Sequence, residues 1–483
     1  MRSAAGDVEA DAAARPADED PVVRGASTAI GGPVGRHARL RRSRSLAPAW
    51  LLLGLTCITL ALGWVQKAPC RTHAWRAEYQ YTRMCYSDVF ALYFAEGLAE
   101  GKTPYVDHPV EYPVVIGGFM AAGAEVAGLF PQAERPRRFF DLTALALAGC
   151  GLVMAATTIG LAGRRRRWDA AMVALAPVLV LHAYTNWDLV AAALTGLGLL
   201  AWAHRRPGLA GVWLGLGTAT KLYPALLLVP LFLLCLRMRR LPEFRRTAVA
   251  AVVTWLVINV PVWWAYPAAF GRFYSLNRTR GADWDSLWYA LQHLRGRALD
   301  TGLAPGAAPT VLNAVVAGGF LLGLAGIAVL ALRAPTRPRL AQLAFLTLVA
   351  FLLSNKVFSP QYSIWLLPLA VLARPRWPAF LAWQVSELFL LFLRFYFFVG
   401  QDKAGAQGVP TGLFLTGVAL RDLALLVLAG LVVRDVLVPS QDVVRQSGYD
   451  DPGGGVLVTG EGVREAPAAA PAGRRLLPLA RSG

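Results

Sequence analysis

Twelve apolar runs, each close to helix length and separated by clusters of Arg and Lys, constrain this chain before any motif is considered. The runs cover about 49–66, 139–162, 168–185, 187–204, 208–222, 224–237, 246–264, 310–333, 339–355, 361–373, 377–398 and 412–434. A span needs roughly 20 apolar residues, and a protein that is 56% hydrophobic and 16% charged has too little polar surface for a soluble domain. The expected fold is an all-α polytopic membrane protein with about 12 transmembrane helices. The net charge of +18 does not mark a nucleic-acid binder, because the basic residues punctuate apolar runs and read as loop anchors facing anionic lipid.

The Lys and Arg clusters set the orientation, since they bias short loops toward the cytosol. They fall at Arg36 to Arg44, Arg164 to Arg167, His204 to Arg206, Arg237 to Arg246, Arg333 to Arg339, Arg374 to Arg376 and in the C-terminal segment, with two crossings between successive clusters. Both termini are then cytosolic. Residues 1–45 read as a disordered tail, 46–437 as the membrane domain and 438–483 as a second disordered tail rich in Gly, Ala and Pro. The run 49–66 lies too far from the start and lacks the small-residue cleavage site of a signal peptide. Pro113 to Phe130 is span-sized, but counting it inverts every later loop, so it is read as a re-entrant or amphipathic segment in the first outer loop. This choice leaves Arg135, Arg137 and Arg138 outside. The halves of 208–237 are short, and a break at Lys221-Leu222-Tyr223-Pro224 is tolerable where it lines a polar cavity.

With this topology the unusual polarity gathers on one face. The first outer loop holds Tyr86-Ser87-Asp88, Asp107 and Glu111. Other loops bring Asn186-Trp187-Asp188, Lys221, the long segment 266–309, and 354–362 with Lys356 and Gln361. Charge beside spans is costly and usually functional. Simpler roles exist for each residue: Asp88 fits as an N-cap of the following helix, Asn186 and Asp188 as caps of theirs, and Lys221 as a snorkelling side chain. Arg272, Arg278 and Arg280 sit outside against the positive-inside bias, which favours anion binding over plain surface charge. Cys57, Cys150 and Cys235 fall in spans. Cys70 and Cys85 share the first outer loop, where a disulfide is permitted but not required. No Cys/His spacing indicates a metal.

A carboxylate can take a proton from an acceptor hydroxyl while Lys and Arg hold a lipid phosphate, so one base and a cationic clamp suffice for group transfer. At this point a resemblance enters. Tyr86-Ser87-Asp88, Gly101 to Tyr105 and Glu111-Tyr112-Pro113 resemble the first outer loop of C-type glycosyltransferases. Asn186-Trp187-Asp188, Lys221 to Pro224, Gly281-Ala282-Asp283-Trp284, Ser359-Pro360-Gln361-Tyr362 and Trp365 to Pro368 are similar to glycosyltransferase family 87, an actinobacterial group of polyprenol-phosphate-mannose-dependent mannosyltransferases.

The resemblance covers about residues 80–400 and implies a C-type fold, an inverting hexosyl transfer and a site on the outer face of the cytoplasmic membrane. It further implies a polyprenyl-phosphate sugar as donor, a glycan or glycolipid as acceptor, and membrane lipid as surroundings. Carried onto this chain it makes Asp88 the base, with Asp107 and Glu111 in reserve. Lys221, Lys356, Arg272, Arg278 and Arg280 become candidates for the donor phosphate, and Asn186, Asp188, Tyr223, Asp283, Trp284, Gln361 and Tyr362 for substrate contacts. A related mannosyltransferase carries a paired Asp-x-Asp here, but Phe90 occupies the second position, which weakens the case for a divalent metal. No cofactor is expected. A transporter or flippase of a lipid-linked sugar is the alternative, since intramembrane charges and broken helices also mark substrate pathways. The one-sided polarity and the lack of an internal repeat count against it.

Overall fold

The computed structural model describes residues 20–32, 47–73, 75, 77–302, 304, 306–402 and 408–458. Sixteen helices of eight or more residues are described: α1 (Pro21–Gly31), α2 (Ala47–Gln66), α3 (Asp88–Ala95), α4 (Val114–Gly128), α5 (Arg135–Ala162), α6 (Asp188–Ala203), α7 (Pro207–Thr220), α8 (Leu228–Arg237), α9 (Leu241–Ala265), α10 (Pro267–Thr279), α11 (Leu287–Arg295), α12 (Thr310–Arg333), α13 (Leu340–Ser354), α14 (Ser363–Ala373), α15 (Trp377–Asp402) and α16 (Thr411–Leu437). Among the described residues no β-strand forms. Six helices (α2, α5, α9, α12, α15 and α16) are long and apolar enough to cross a membrane, and shorter apolar helices pack among them.

Chain order and packing are closely linked. Helices α5, α6, α7 and α9 form a row of neighbours, and α14 packs against α5, α6 and α13. Nearly every α14 residue is buried, as expected of a helix that is apolar all round. Helix α12 touches mainly α8 and α13 and exposes Leu321 and Leu322, while α9 exposes Val249, Val252 and Val257; such faces suit lipid. Trp263 and Trp264 close the end of α9, Trp264 being 84% exposed, at a position typical of the aromatic belt.

Breaks in the apolar runs have local causes. The segment expected as one helix at 168–185 is a series of short turns ending in Pro177–His182, because Ala176 before Pro177 is extended, as a residue preceding proline prefers. At the end of α7, Lys221 is extended (φ −147°, ψ 144°) and the chain restarts at Tyr223. The span-sized segment after Pro113 becomes the 15-residue helix α4, packed against α5, α7 and α9. The three arginines left outside gather at the start of α5. There Arg138 pairs with Glu134 at 2.8 Å, and Arg135 donates to the Phe130 carbonyl at 3.0 Å. The long segment 266–309, read as a loop, contains α10 and α11.

The tails differ from their compositional reading where they are described. Residues 20–32 include α1, capped by Asp20, whose other carboxylate oxygen accepts from the Trp377 backbone. Residues 438–458 pack as a strap on the loops opposite the polar cluster. The rest of both tails (1–19, 33–46 and 459–483) lies outside the described residues. Ion pairs hold the strap: Arg339, 2% exposed, pairs with Asp442 at 2.7 Å and donates to the carbonyls of Leu372 and Ala373, while Arg337 pairs with Asp450 and Asp451. Part of the charge expected to face lipid is therefore spent inside the protein. Removing one partner of a buried pair costs ~3–5 kcal/mol. Asp442→Ala is expected to lower the thermal midpoint in detergent by several degrees, and Arg339→Met placed on it should restore part of the loss; an unchanged midpoint in Asp442→Ala would show that the strap does not stabilise the bundle.

Candidate functional site

Chain segments that join the helices, together with the polar interruptions of the spans, converge on one cavity of about 450 Å³. Asp88 sits at its centre. It opens α3, and the extended residue before it, Ser87, is tied to the turn at 184–185: Ser87 Oγ donates to the Tyr184 carbonyl at 2.7 Å and the Asp88 backbone donates to the Thr185 carbonyl at 2.8 Å. Ser87 occupies the N-cap position and makes no side-chain cap, and the Asp88 carboxylate points elsewhere. Its Oδ2 accepts from Asn186 Nδ2 at 2.7 Å and from Gln361 Nε2 at 3.4 Å.

Asn186 and Asp188 likewise do not cap α6. Asn186 Nδ2 also donates to Tyr112 Oη at 2.6 Å, and its Oδ1 accepts from Lys221 Nζ at 3.1 Å and the Trp187 backbone at 2.7 Å. Asp188, fully buried, accepts from Trp365 Nε1 at 2.8 Å and lies 3.4 Å from Lys221 Nζ. Lys221 therefore does not snorkel. It is 9% exposed, reaches inward from the helix break, and sits 4.8 Å from the Tyr112 ring centroid. Tyr362 and Tyr223 stack on the two sides of this region against Trp365, at 3.9 and 4.5 Å.

The residues singled out from the sequence separate into groups. Asp88, Glu111, Asn186, Lys221, Tyr223, Arg280, Asp283, Gln361 and Tyr362 line the cavity, with Arg280 3.7 Å from Asp283. Asp188 lies just behind it. Asp107 and Arg272 do not reach the Asp88 cavity and line a separate groove, where Asp107 accepts from the Thr103 backbone at 2.9 Å in its own turn. Lys356 is turned away, its ammonium donating to the Arg280 carbonyl and Asn313 Oδ1, both at 2.6 Å, and to the Arg278 carbonyl at 3.4 Å. It anchors the 278–283 loop, and Arg278 enters only through its backbone. Trp284 packs against Tyr289, Phe397 and Phe398 outside the cavity lining. Cys70 and Cys85 form a disulfide with 5.7 Å between their Cα atoms.

Two cations were not picked out from the sequence. Lys67, 1% exposed just past the end of α2, lines the cavity and donates to the Tyr86 carbonyl at 2.8 Å and the Leu181 carbonyl at 3.5 Å. Arg394, within α15, also lines the cavity and is held by Asp285 at 2.8 Å. The available signal was a charge set in apolar sequence, Lys67 alone at the lip of one run and Arg394 inside another that also carries Glu387. Leu222, Phe273, Leu276, Phe351, Leu391 and Phe395 make the apolar part of the lining.

Residues 128–360 match the model of glycosyltransferase family 87. The match supports membership of that family. No curated protein matches the chain. That family implies a membrane glycosyltransferase, which would use a sugar donor and an acceptor. The matched stretch carries Asn186, Asp188, Lys221, Arg280 and Asp283, whereas Asp88 and Glu111 precede it and Gln361 follows it directly.

Electrostatics distinguishes the groups around Asp88 in this family 87 cavity. Burial raises the pKa of Glu111, and the nearby charges of Glu96 and Asp88 add to the rise against Arg280 and Arg272. The Asp88 carboxylate, followed by burial, holds the Tyr86 phenol well above its ordinary value. Burial pushes Lys67 down to about 7, against the attraction of Asp88. An unfolded Lys titrates near 10.4, so between about pH 7 and that value the unfolded chain binds more protons than the folded one. The stability cost of burying Lys67 is then fully present below about pH 7 and fades as pH rises. The thermal midpoint, corrected for the pH trend of Lys67→Met, is expected to climb from pH 7 to about 9; parallel wild-type and variant profiles would show that Lys67 titrates normally.

Proposed function

We propose that this protein is an inverting hexosyltransferase that takes a sugar, mannose by resemblance, from a polyprenyl-phosphate carrier and places it on a glycan or glycolipid acceptor. The observation that carries this reading is the shared cavity: a carboxylate oriented by two amides faces the same space as Lys67, Lys221, Arg280 and Arg394, beside an apolar wall. Asp88 takes the proton of an acceptor hydroxyl. The freed oxygen attacks the anomeric carbon, the bond from that carbon to the phosphate oxygen breaks with its electron pair, and the phosphate leaves into the cationic lining. Asp88 then returns its proton to solvent. The base needs to be oriented, and the leaving group needs its charge offset where it forms.

In this reading the phosphate clamp is Lys221 and Arg280 with Lys67 and Arg394; Lys356, Arg272 and Arg278 are not part of it. Asn186 and Gln361 orient the base, and Asp188 acts through Lys221. The apolar lining suits the first units of a prenyl chain. We place the site on the outer face of the cytoplasmic membrane, with about twelve crossings in a C-type arrangement and both termini cytosolic. The basic loops support this orientation, as does the Cys70–Cys85 disulfide, which sits on the same side as Asp88 and suits an oxidising compartment.

The test is transfer from radiolabelled polyprenyl-phosphate-mannose in detergent, where no compartment exists for a transporter to fill. Asp88→Asn, with an unchanged thermal midpoint, is expected to lose activity by roughly 10²–10⁴-fold, the usual contribution of a general base. Equal turnover in wild type and variant would remove Asp88 from the chemistry.

A further inference from the structure

A second cavity, about 650 Å³ and open to the outside, lies across a thin wall from the Asp88 cavity. Its lining includes Tyr105, Asp107, His108, Tyr266, Arg272 and Ser275. Aromatic surface set among a few hydrogen-bonding groups is the usual composition of a small-molecule site. It also suits a saccharide in particular, whose CH faces lie on rings while its hydroxyls meet charged and hydroxyl side chains. Among the described residues no ion pair or hydrogen bond engages the Arg272 side chain.

The wall connects the two spaces. Glu96 accepts from the Glu111 backbone at 3.2 Å and lies 3.3 Å from His108 Nε2, so its carboxylate joins a residue of the Asp88 cavity to one of the groove. Tyr105 Oη donates to the Tyr112 carbonyl at 2.7 Å, and Tyr112 Oη accepts from the same amide that holds Asp88. Helix α10 forms the other side of the partition and has no buried residue. At about 100° per residue, Ala268, Arg272 and Ser275 fall on one face and line the groove. Phe273 and Asn277 fall on a face roughly 150° away and line the Asp88 cavity, as does Arg280 just past the helix end.

We propose that this groove binds the saccharide chain of the acceptor, hexose units running outward from the one whose hydroxyl reaches Asp88. The proposal rests on the glycosyltransferase reading above and adds to it where the acceptor lies. The prenyl carrier has its apolar wall in the other cavity, so the mixed lining here is left for the second substrate. A glycan of several units gains contacts in the groove that a single sugar cannot make.

The test compares methyl α-mannoside with a mannotetraose as acceptors for the purified full chain in detergent. Its variants are Tyr266→Ala, which removes an aromatic face, and Ala268→Trp, which fills the groove from an exposed position of α10. For the tetrasaccharide the variants are expected to raise KM by roughly threefold to tenfold, the size of one lost ring contact, with the monosaccharide KM and kcat unchanged. Equal effects on both acceptors, or none on either, would overturn the groove as the acceptor site while leaving transfer itself intact. Saturation-transfer NMR of mannotetraose with the same proteins reads the groove without catalysis. Contact in wild type that is lost in Ala268→Trp supports the proposal even where no transfer occurs, and contact that persists in Ala268→Trp overturns it, as does its absence from wild type.

Discussion

The side-chain amide of Asn186 is the interaction on which the site depends. A primary amide offers two donors and an oxygen with two lone pairs. Here Nδ2 serves Asp88 and Tyr112, while Oδ1 serves Lys221 and the Trp187 backbone. With all four positions filled, the amide has one orientation, because turning it over would set its carbonyl against the Asp88 carboxylate and its NH₂ against an ammonium. Asn186 thereby links the Asp88 carboxylate to the cation at the helix break. Asp188, two residues further, holds the same cation at 3.4 Å.

The surrounding bundle makes this arrangement affordable in a membrane protein. Polar groups inside or beside spans are tolerated where they face a cavity or a partner. The broken backbone at Lys221 opens onto the Asp88 cavity, Arg394 is balanced by Asp285, and Arg421 donates to the carbonyls of Phe358 and Asp285 and pairs with Asp422. Asp285 thus receives Arg394 at its side chain and Arg421 at its backbone, which ties α15 and α16 to the loop that carries Asp283 and Arg280. Arg394 of α15 and Lys221 at the end of α7 are held by separate carboxylates, Asp285 and Asp188.

Much of this was legible in the residues, for definable reasons. Apolar runs report helices directly, because burial in lipid or in a bundle demands continuous hydrophobicity, and prolines such as Pro177 and Pro224 mark where the backbone turns. Asp88, Asn186, Lys221 and Gln361 could be grouped because each is a polar interruption at the same end of successive spans. The side of the membrane on which a charge sits does not tell which way its side chain points. Lys356 and Arg272 share that side, yet one is consumed by backbone carbonyls and the other faces a different groove. Lys67 was hidden because a charge at the end of an apolar run marks a helix boundary, and Arg394 because its run already carries Glu387. The strap at 438–458 was hidden by its Gly and Pro content, although Asp442, Asp450 and Asp451 match the arginines of the opposite loops.

The position of Asp88 depends on a part of the chain outside the stretch that matches family 87. Three nearby stitches join the end of α2 to the segment that leads into Asp88: Gln66 Nε2 to the Met84 carbonyl at 2.5 Å, Lys67 to the Tyr86 carbonyl at 2.8 Å, and the Cys70–Cys85 disulfide. Within the matched stretch, the turn at 184–185 receives the same segment through Ser87 and Asp88. The carboxylate is therefore clamped between the first span and the segment that carries Asn186. The matched segment supplies the amide that orients Asp88 and the cation beyond it, and the end of α2 holds the extended segment that carries Asp88 to the cavity.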